Sequence, residues 1–212
     1  NKPTGAQVGL GVRSASITTV FRTGNLIASE NEAAFALVGD GFFAVRGNDG
    51  NTYYTKNGNF NWAINTQGGV SLCTSEGYPV LDSEGNPIEL NGDYQTSKIT
   101  ISGDGEVCYP DETNNPAPMG ITIGVYQFSN PGGLEKEGNT MYSVSAASGQ
   151  PMNEATTEGL QRTEVRQGYL EGSNVQVVDE MVNLIVAQRA YEMNSKAITT
   201  TDEMMKQANN LK

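Results

Sequence analysis

The C-terminal segment, residues 172–212, constrains most strongly what this chain can fold into. It is the one long stretch with helical periodicity, and neither Gly nor Pro occurs after Gly172. Ser173 and Gln176 have the spacing of a capping box, in which two side chains satisfy free amides at a helix start. Acidic residues follow in the first turns and lysines lie near the end, as the helix dipole favours. These signals predict a helix of about 38 residues.

Two apolar stripes run along this predicted helix, whereas an ordinary surface helix has one. The first consists of Val177, Met181, Leu184, Tyr191, Ile198 and Met205. The second consists of Val182, Val186, Ala190, Met193, Ala197, Met204, Ala208 and Leu211. A helix of this length would span roughly 57 Å, which exceeds the roughly 40 Å width of a globule built from the preceding residues. We therefore expect the helix to pack on something beyond its own domain: two partners, or one partner and neighbouring chains.

The alternative is a break in the helix at residues 199–201. These are three consecutive threonines, and β-branched residues lower helix propensity. Thr200 and Glu203 also offer a second capping box. Two shorter helices could then fold back on the preceding domain.

Before residue 172 the sequence indicates β structure. Short strands recur about every ten residues with turn residues between them, a spacing typical of β sandwiches, barrels and irregular β domains. Glycine turns at 39–41 and 103–105, and an Asn-Asp-Gly-Asn turn at 48–51, are each expected to join two strands. Residues 111–118 are predicted to be a polar surface loop, and residues 121–128 form the most regular alternating strand.

The predicted fold is therefore mainly β, an irregular multi-hairpin β domain or domains followed by a long C-terminal α-helix. We divide the chain into a first β block with the entry strands (1–95), a second β block with the return strands (96–171) and a C-terminal assembly helix (172–212). Val8, Leu10 and Val12 alternate with other residues and predict a strand near the start.

Composition excludes several classes of function. The net charge is −11 without a basic run, which argues against a nucleic-acid partner. No apolar run approaches the twenty residues of a transmembrane helix. The absence of histidine removes histidine-based triads and histidine metal ligands. Cys73 and Cys108 are expected to be buried or idle thiols, and a disulfide is the alternative if the chain reaches an oxidising compartment.

Catalytic and cofactor motifs are not found in the sequence. Gly9–Gly11, 39–41 and 103–105 lack the third glycine of a dinucleotide-binding loop and are expected to be turns. The acidic turn at 82–86 lacks the spacing of an EF-hand. The aromatic group Tyr53, Tyr54, Phe60 and Trp62 is expected to serve a β core, with a carbohydrate groove as the alternative. We predict neither a cofactor, nor a metal, nor an enzymatic activity.

The terminal segments resemble a known family. The C-terminal resemblance lies in the runs RQGYLEGSNV (166–175), EMV (180–182), QRAYEMNSKA (188–197) and TTDEM (200–204). Near the start it lies in PTG (3–5), GLGVR (9–13), GNL (24–26) and GDGFF (39–43). These runs are similar to the bacterial flagellar basal-body rod and hook proteins, and most of all to the distal rod members. The cysteines and residues 31–36 and 111–118 depart from the family pattern.

The resemblance implies a structural subunit of the flagellar distal rod, which would polymerise into a rigid helical tube that transmits torque. Subunits would be exported by the flagellum's type III apparatus to the basal body in the cell envelope. The family's N-terminal helical segment is expected to be missing here, and it would be the main partner of the C-terminal helix. Other implied partners are further copies, the proximal rod and hook proteins, and ring bushing proteins where an outer membrane exists.

The predicted assembly interface consists of eight apolar residues on the C-terminal helix: Val177, Met181, Leu184, Val186, Tyr191, Met193, Ile198 and Met205. Two alternatives to a distal rod protein remain open. One is a hook or proximal rod protein of the same family. The other, from a different class, is a carbohydrate-binding or glycan-cleaving module, which without histidine would depend on two positioned carboxylates.

Overall fold

The computed structural model describes residues 19–65, 68–92, 94–111 and 113–210. The chain divides into two compact units, residues 1–171 and residues 172–212. We call the first unit the β body. The strand predicted around Val8 to Val12 lies outside the described residues. Among the described residues, no helix is both long enough and apolar enough to cross a membrane.

The described part of the β body contains short strands, two single-turn 3₁₀ helices (Thr96–Lys98 and Pro131–Gly133) and many turns. The strands are β1 Leu26–Ala28, β2 Phe35–Val38, β3 Phe42–Arg46, β4 Thr52–Thr55, β5 Phe60–Ile64, β6 Val70–Thr74, β7 Glu89–Leu90, β8 Thr100–Ile101, β9 Glu106–Pro110, β10 Pro116–Thr122, β11 Val125–Gln127, β12 Glu135–Gly138, β13 Met141–Ser143, β14 Met152–Asn153, β15 Glu164–Gln167 and β16 Tyr169–Glu171. The helix α1 spans Val177–Asn210. The predicted fold class, mainly β with one long C-terminal helix, is confirmed.

These strands form several small antiparallel sheets. The largest has six strands in the order β12-β13-β4-β3-β11-β14. Two sheets have three strands, β5-β6-β7 and β10-β9-β8, and two ladders have two strands, β15-β2 and β1-β16. The last ladder brings the strand at residue 26 beside the strand that leads to α1, with Ile27 opposite Leu170. The β body therefore begins and ends its described path at one ladder.

Two of the three predicted turn regions form the expected hairpins. The turn at 48–51 joins β3 to β4, and the Gly47 amide donates to the Asn51 carbonyl at 2.8 Å. The turn at 103–105 joins β8 to β9. At 39–41 both predicted strands exist, but they lie in different sheets. β2 pairs with β15, whereas β3 pairs with β4 and β11.

The loop predicted over 111–118 is confirmed for residues 111 and 113–115, which are exposed, and is wrong for residues 116–118, because β10 begins at Pro116 and continues the hairpin from β9. The Asp111 carboxylate organises the turn by accepting hydrogen bonds from the Thr113 hydroxyl at 2.6 Å and the Asn115 amide at 3.1 Å. The bond from the Thr113 hydroxyl is the largest cause that lowers the pKa of Asp111, followed by the backbone amides. β10 is an edge strand, where prolines are tolerated because they need not donate to a neighbour.

The single strand predicted over 121–128 is also wrong. β10 ends at Thr122 and β11 begins at Val125, so the segment passes from one sheet to another. Gly124 makes this possible, because a Cβ there would lie 2.4 Å from the Asp82 carbonyl oxygen. Alternation of apolar residues continues through the change of sheet, which is why the sequence pattern does not reveal it.

Aromatic side chains fill the core of the β body. Phe35, Phe43 and Phe60 are fully buried, and the rings of Phe43 and Phe60 meet edge to face at 5.1 Å. Tyr54 is buried in a second cluster against Phe128 at 4.9 Å. Tyr53 and Trp62 are half-buried against the first cluster. The core role predicted for the aromatic group is therefore confirmed, and the carbohydrate groove is not formed by it.

A buried carboxylate ties together three segments of the β body. Glu154 accepts hydrogen bonds from the Thr163 amide (2.7 Å), the Thr163 hydroxyl (2.6 Å) and the Gln127 side-chain amide (2.8 Å). The Gly41 amide in turn donates to the Thr163 hydroxyl oxygen at 3.0 Å. The network joins β11, the segment before β15 and the glycine turn before β3.

Replacing Glu154 with glutamine is expected to destabilise the β body by about 2 kcal/mol, because one acceptor oxygen becomes a donor and buried donors lose their partner. The free energy of unfolding would be measured by urea titration. Glu158→Gln is the matched control, because Glu158 is exposed on the same segment. Equal stabilities of the two variants would show that the network contributes little.

Both cysteines are free and buried, so the predicted thiols are confirmed and the disulfide alternative is wrong. Burial raises the pKa of the Cys73 thiol, and the nearby Glu89 charge adds to this. A raised pKa leaves less thiolate, which is the reactive form. We therefore expect Ellman's reagent at pH 8 to react slowly with the folded chain and to titrate both thiols rapidly in urea. Fast reaction without denaturant would contradict the burial of these side chains.

Candidate assembly surface

The helix α1 begins later than the sequence predicts. Its first residue is Val177, and the Glu180 amide donates to the Gln176 carbonyl at 3.2 Å. The Ser173 hydroxyl oxygen instead accepts from the Val175 amide at 3.1 Å, before the helix starts. The predicted capping box is therefore wrong, and Ser173 stabilises the turn that precedes the helix. Asp179 and Glu180 still lie in the first turn, where the helix dipole favours them.

The helix continues without interruption through the three threonines. Thr199 and Thr201 donate their hydroxyl groups to the carbonyl oxygens of Lys196 (2.9 Å) and Ala197 (2.7 Å). These bonds satisfy the hydroxyl groups within the helix itself. The predicted alternative of two shorter helices is wrong. The 34 residues of α1 give it a length of about 51 Å.

All eight residues predicted to form the assembly interface lie on α1, and all are exposed, from 58% for Met181 to 76% for Tyr191. No described residue of α1 is buried. A large apolar side chain in this state forfeits about 1.5–3 kcal/mol that burial would provide. Single exposed apolar residues are common on proteins, but a continuous row of them marks an interaction surface.

The exposed apolar residues form two faces. The first face is a strict seven-residue series: Val177, Leu184, Tyr191, Ile198 and Met205. The second face contains Val186 and Met193, together with Val182, Ala190, Ala197, Met204 and Ala208. Leu184 and Val186 are two positions apart, which places them about 200° apart around an α-helix. Around Leu184 and Val186 the two faces therefore point in nearly opposite directions, and one helix lying alongside this part of α1 covers only one of them. Because a seven-residue series drifts by about 20° per repeat, the faces are only about 100° apart at Met204 and Met205.

Sequence reasoning missed two members of this surface, Val178 (69% exposed) and Ile185 (54% exposed). They belong to neither predicted stripe, because they lie between the faces. The seven-residue spacing between Val178 and Ile185 is the sequence signal that could have identified them. With them, the apolar side chains of the first three turns of α1 cover more than half of the helix circumference, and Asp179, Glu180 and Asn183 occupy the remaining side.

Two pairs of polar side chains on α1 lie outside these faces, whereas Asp179 and Thr200 lie on the second face, one heptad from Val186 and Met193. Asp202 and Lys206 form an ion pair of 2.6 Å, and the Gln188 side-chain amide donates to Glu192 at 3.0 Å. Such exposed pairs add only a few tenths of a kcal/mol to helix stability. The apolar faces thus dominate the energetics of this surface.

The described residues of the β body show weaker signs of a functional site than the surface of α1 does. No group of three or more Asp, Glu, Cys or His among them is placed to hold a metal ion. In the acidic turn at 82–86, Asp82 accepts from the amides of Glu84 and Asn86 at 2.9 and 2.8 Å. A cleft of about 350 Å³ is lined by Asp104, Glu106, Arg162 and the hydrogen-bonded Glu154.

Two family models match the chain. Residues 36–109 match the D1 domain of the flagellar hook protein family FlgE/F/G, and residues 166–211 match the C-terminal domain of the flagellar basal-body rod FlgEFG proteins. The second match coincides with α1 and its approach. Among curated relatives, the flagellar basal-body rod protein FlgG of Borreliella burgdorferi is 41% identical, over 100% of this chain and 76% of that protein.

The chain belongs to the flagellar basal-body rod protein family. The FlgG of Bacillus subtilis is 38% identical, over 97% of this chain and 75% of that protein. The flagellar hook-basal body complex protein FlhP of the same organism is 31% identical, over 96% of this chain and 73% of that protein. As a member of this family the chain is a structural protein of the flagellar basal body, which confirms the resemblance seen in the terminal segments.

Proposed function

We propose that this chain is a subunit of the distal rod, polymerising through α1 into a rigid helical tube that transmits torque. The observation that carries the proposal is the helix of 34 residues with two separate apolar faces, both exposed. A monomeric protein gains nothing from such a surface, whereas a subunit enclosed by neighbours buries it.

The two faces support a polymer rather than a closed dimer. One face in contact with one neighbour leaves the other free for a second. Contacts between different surfaces on successive copies generate a ring or an open filament. The seven-residue spacing of the first face is the period of left-handed coiled coils, in which such side chains insert between those of the facing helix.

The predicted interface is large enough for stable association. Eight residues that each gain about 1.5–3 kcal/mol on burial would contribute about 12–24 kcal/mol in total. Association costs several to more than ten kcal/mol in lost freedom of movement. Because these eight residues are divided between the two faces, the surplus is shared among the contacts that each subunit makes in a polymer.

The family resemblance supplies the partners in this proposal. The apolar faces of α1 would bury against the family's N-terminal helical segment and adjacent copies. The β body would face outward. At the ends of the rod the chain would contact proximal rod and hook proteins, and ring bushing proteins where an outer membrane is present. Subunits would reach this position in the cell envelope through the type III export apparatus.

Position within the flagellum tests the proposal against its alternatives. Gold-labelled antibodies against the β body would be applied to purified hook–basal bodies and viewed by electron microscopy. Label between the ring-bearing base and the hook is expected for a distal rod protein. Label along the hook, or at the base of the rod, would favour the other family members. Binding of the chain to cell-wall glycan without label on the flagellum would favour a carbohydrate-binding module.

A further inference from the structure

The charge of this chain is distributed unequally between its two units. By sequence, the β body (residues 1–171) carries 19 acidic and 9 basic side chains, a net charge of −10, whereas residues 172–212 carry 5 and 4, a net charge of −1. Thirteen acidic residues of the β body are described as exposed, against five basic residues. The helical segment that carries the apolar faces is thus almost neutral, and the β body is strongly acidic.

Two basic side chains of the β body, Arg46 and Lys56, are bound to backbone oxygens instead of carboxylates. Arg46 donates to the carbonyls of Gly50 (3.1 Å) and Gly85 (2.7 Å). Lys56 donates to the carbonyl of Gly39 at 3.1 Å and lies over the ring of Phe42. These contacts hold both cations close to the body, on whose surface the thirteen exposed carboxylates outnumber the five exposed basic side chains.

Copies that associate through α1 must bring their β bodies near one another, because each body is covalently attached to its helix. Like charges then repel over the screening length, which is about 10 Å at 0.1 M salt and about 30 Å at 0.01 M. The second value approaches the roughly 40 Å diameter of a body of this size. Contacts between nearly neutral, apolar helices are much less sensitive to ionic strength.

We propose that repulsion between β bodies opposes assembly through α1, so that ionic strength sets the subunit concentration at which polymers form. This proposal rests on the proposed function, since it takes α1 as the assembly element. Repulsion between the acidic β bodies lowers the affinity of an otherwise apolar association, and added salt screens this repulsion.

The test compares the critical concentration for assembly of the full chain between 20 and 200 mM NaCl, measured by sedimentation. We expect it to fall on the order of tenfold. In the variant Glu76→Gln, Glu84→Gln, Glu135→Gln, Glu158→Gln, four exposed carboxylates are neutralised. This variant should assemble at a lower concentration in 20 mM NaCl and respond less to salt. The same four positions changed to Asp keep the charge and form the control.

Salt also strengthens apolar contacts, so a neutral excluded osmolyte is compared in parallel. An equal salt response in the Gln and Asp variants would overturn the proposal and leave the proposed function intact. The Leu184→Gln variant is expected not to assemble, so light scattering can measure the interaction between its separate subunits. The second virial coefficient of this variant should be positive at 20 mM NaCl and fall as salt is added. A value at or below zero would overturn the proposal. A positive value with no assembly of the unmodified chain at any salt concentration would contradict the proposed function, and this proposal with it.

Discussion

Replacing Leu184 with glutamine is expected to abolish assembly and flagellar motility while the β body remains folded. Leu184 is the second of the five residues in the first face of α1 and is 68% exposed in the isolated chain. In a polymer its burial would contribute about 1.5–3 kcal/mol at each copy, and a buried amide without a partner would cost about 1–3 kcal/mol more. A loss of about 2.5–6 kcal/mol at every contact weakens each by about sixtyfold or more.

Glu192→Gln is the matched control, because it places the same side chain on the polar side of the same helix. Leucine, glutamate and glutamine have similar helix propensities, so neither change should unfold α1 itself. Motility on soft agar, the presence of rods in purified basal bodies and the thermal unfolding of the chain would be measured for both. Ile198→Gln, two heptads further along the same face, should behave like Leu184→Gln. Normal rods and motility in the Leu184 and Ile198 variants would exclude the first face as an assembly interface.

This experiment also separates a structural protein from the other classes of function. An enzyme or carbohydrate-binding module would depend on residues of the β body, such as those lining the cleft near Arg162. Substitutions on α1 would then leave its activity largely unchanged. A rod subunit would instead lose its function through substitutions on α1, because every copy must transmit torque to its neighbours through this contact surface.

The helix and its faces could be predicted from sequence because both depend on local regularity. A segment of forty residues without Gly or Pro, with apolar residues at helical spacing, has few alternatives to a helix. The sequence places the start of α1 too early, because the Ser173 hydroxyl oxygen can accept a backbone amide either at a helix start or in the segment before it. The faces were nearly complete, and Val178 and Ile185 were missed because a two-stripe description ignores residues between stripes.

The β body could be predicted only as a class. Turn residues at 48–51 and 103–105 identify their hairpins because the loop and the pairing are local. Nothing local shows that β2 pairs with β15, more than one hundred residues later in the sequence. The strand change at Gly124 is hidden for the same reason, since its cause is the approach of the Asp82 carbonyl from another part of the chain.

A substitution at Gly58 tests whether contacts between segments that are distant in the sequence determine the fold. Its carbonyl accepts the Phe35 amide at 2.9 Å, and a Cβ at this residue would lie 1.8 Å from the Phe35 carbonyl oxygen and 3.1 Å from the Phe43 ring. Gly58→Ala therefore forces apart β2 and the strand that follows Gly58, between fully buried aromatic residues.

We expect Gly58→Ala to lower the free energy of unfolding by more than about 4 kcal/mol, a size reserved for core disruption. The melting temperature should fall by about 10 °C or more, as measured by circular dichroism. Gly103→Ala is the control, because a Cβ there would meet only the Glu164 side chain at an ordinary 3.7 Å, and it should change stability by less than about 1 kcal/mol. Since the clash involves backbone that side-chain rotation cannot relieve, similar melting temperatures for the two variants would mean that β2 and Gly58 are not in contact.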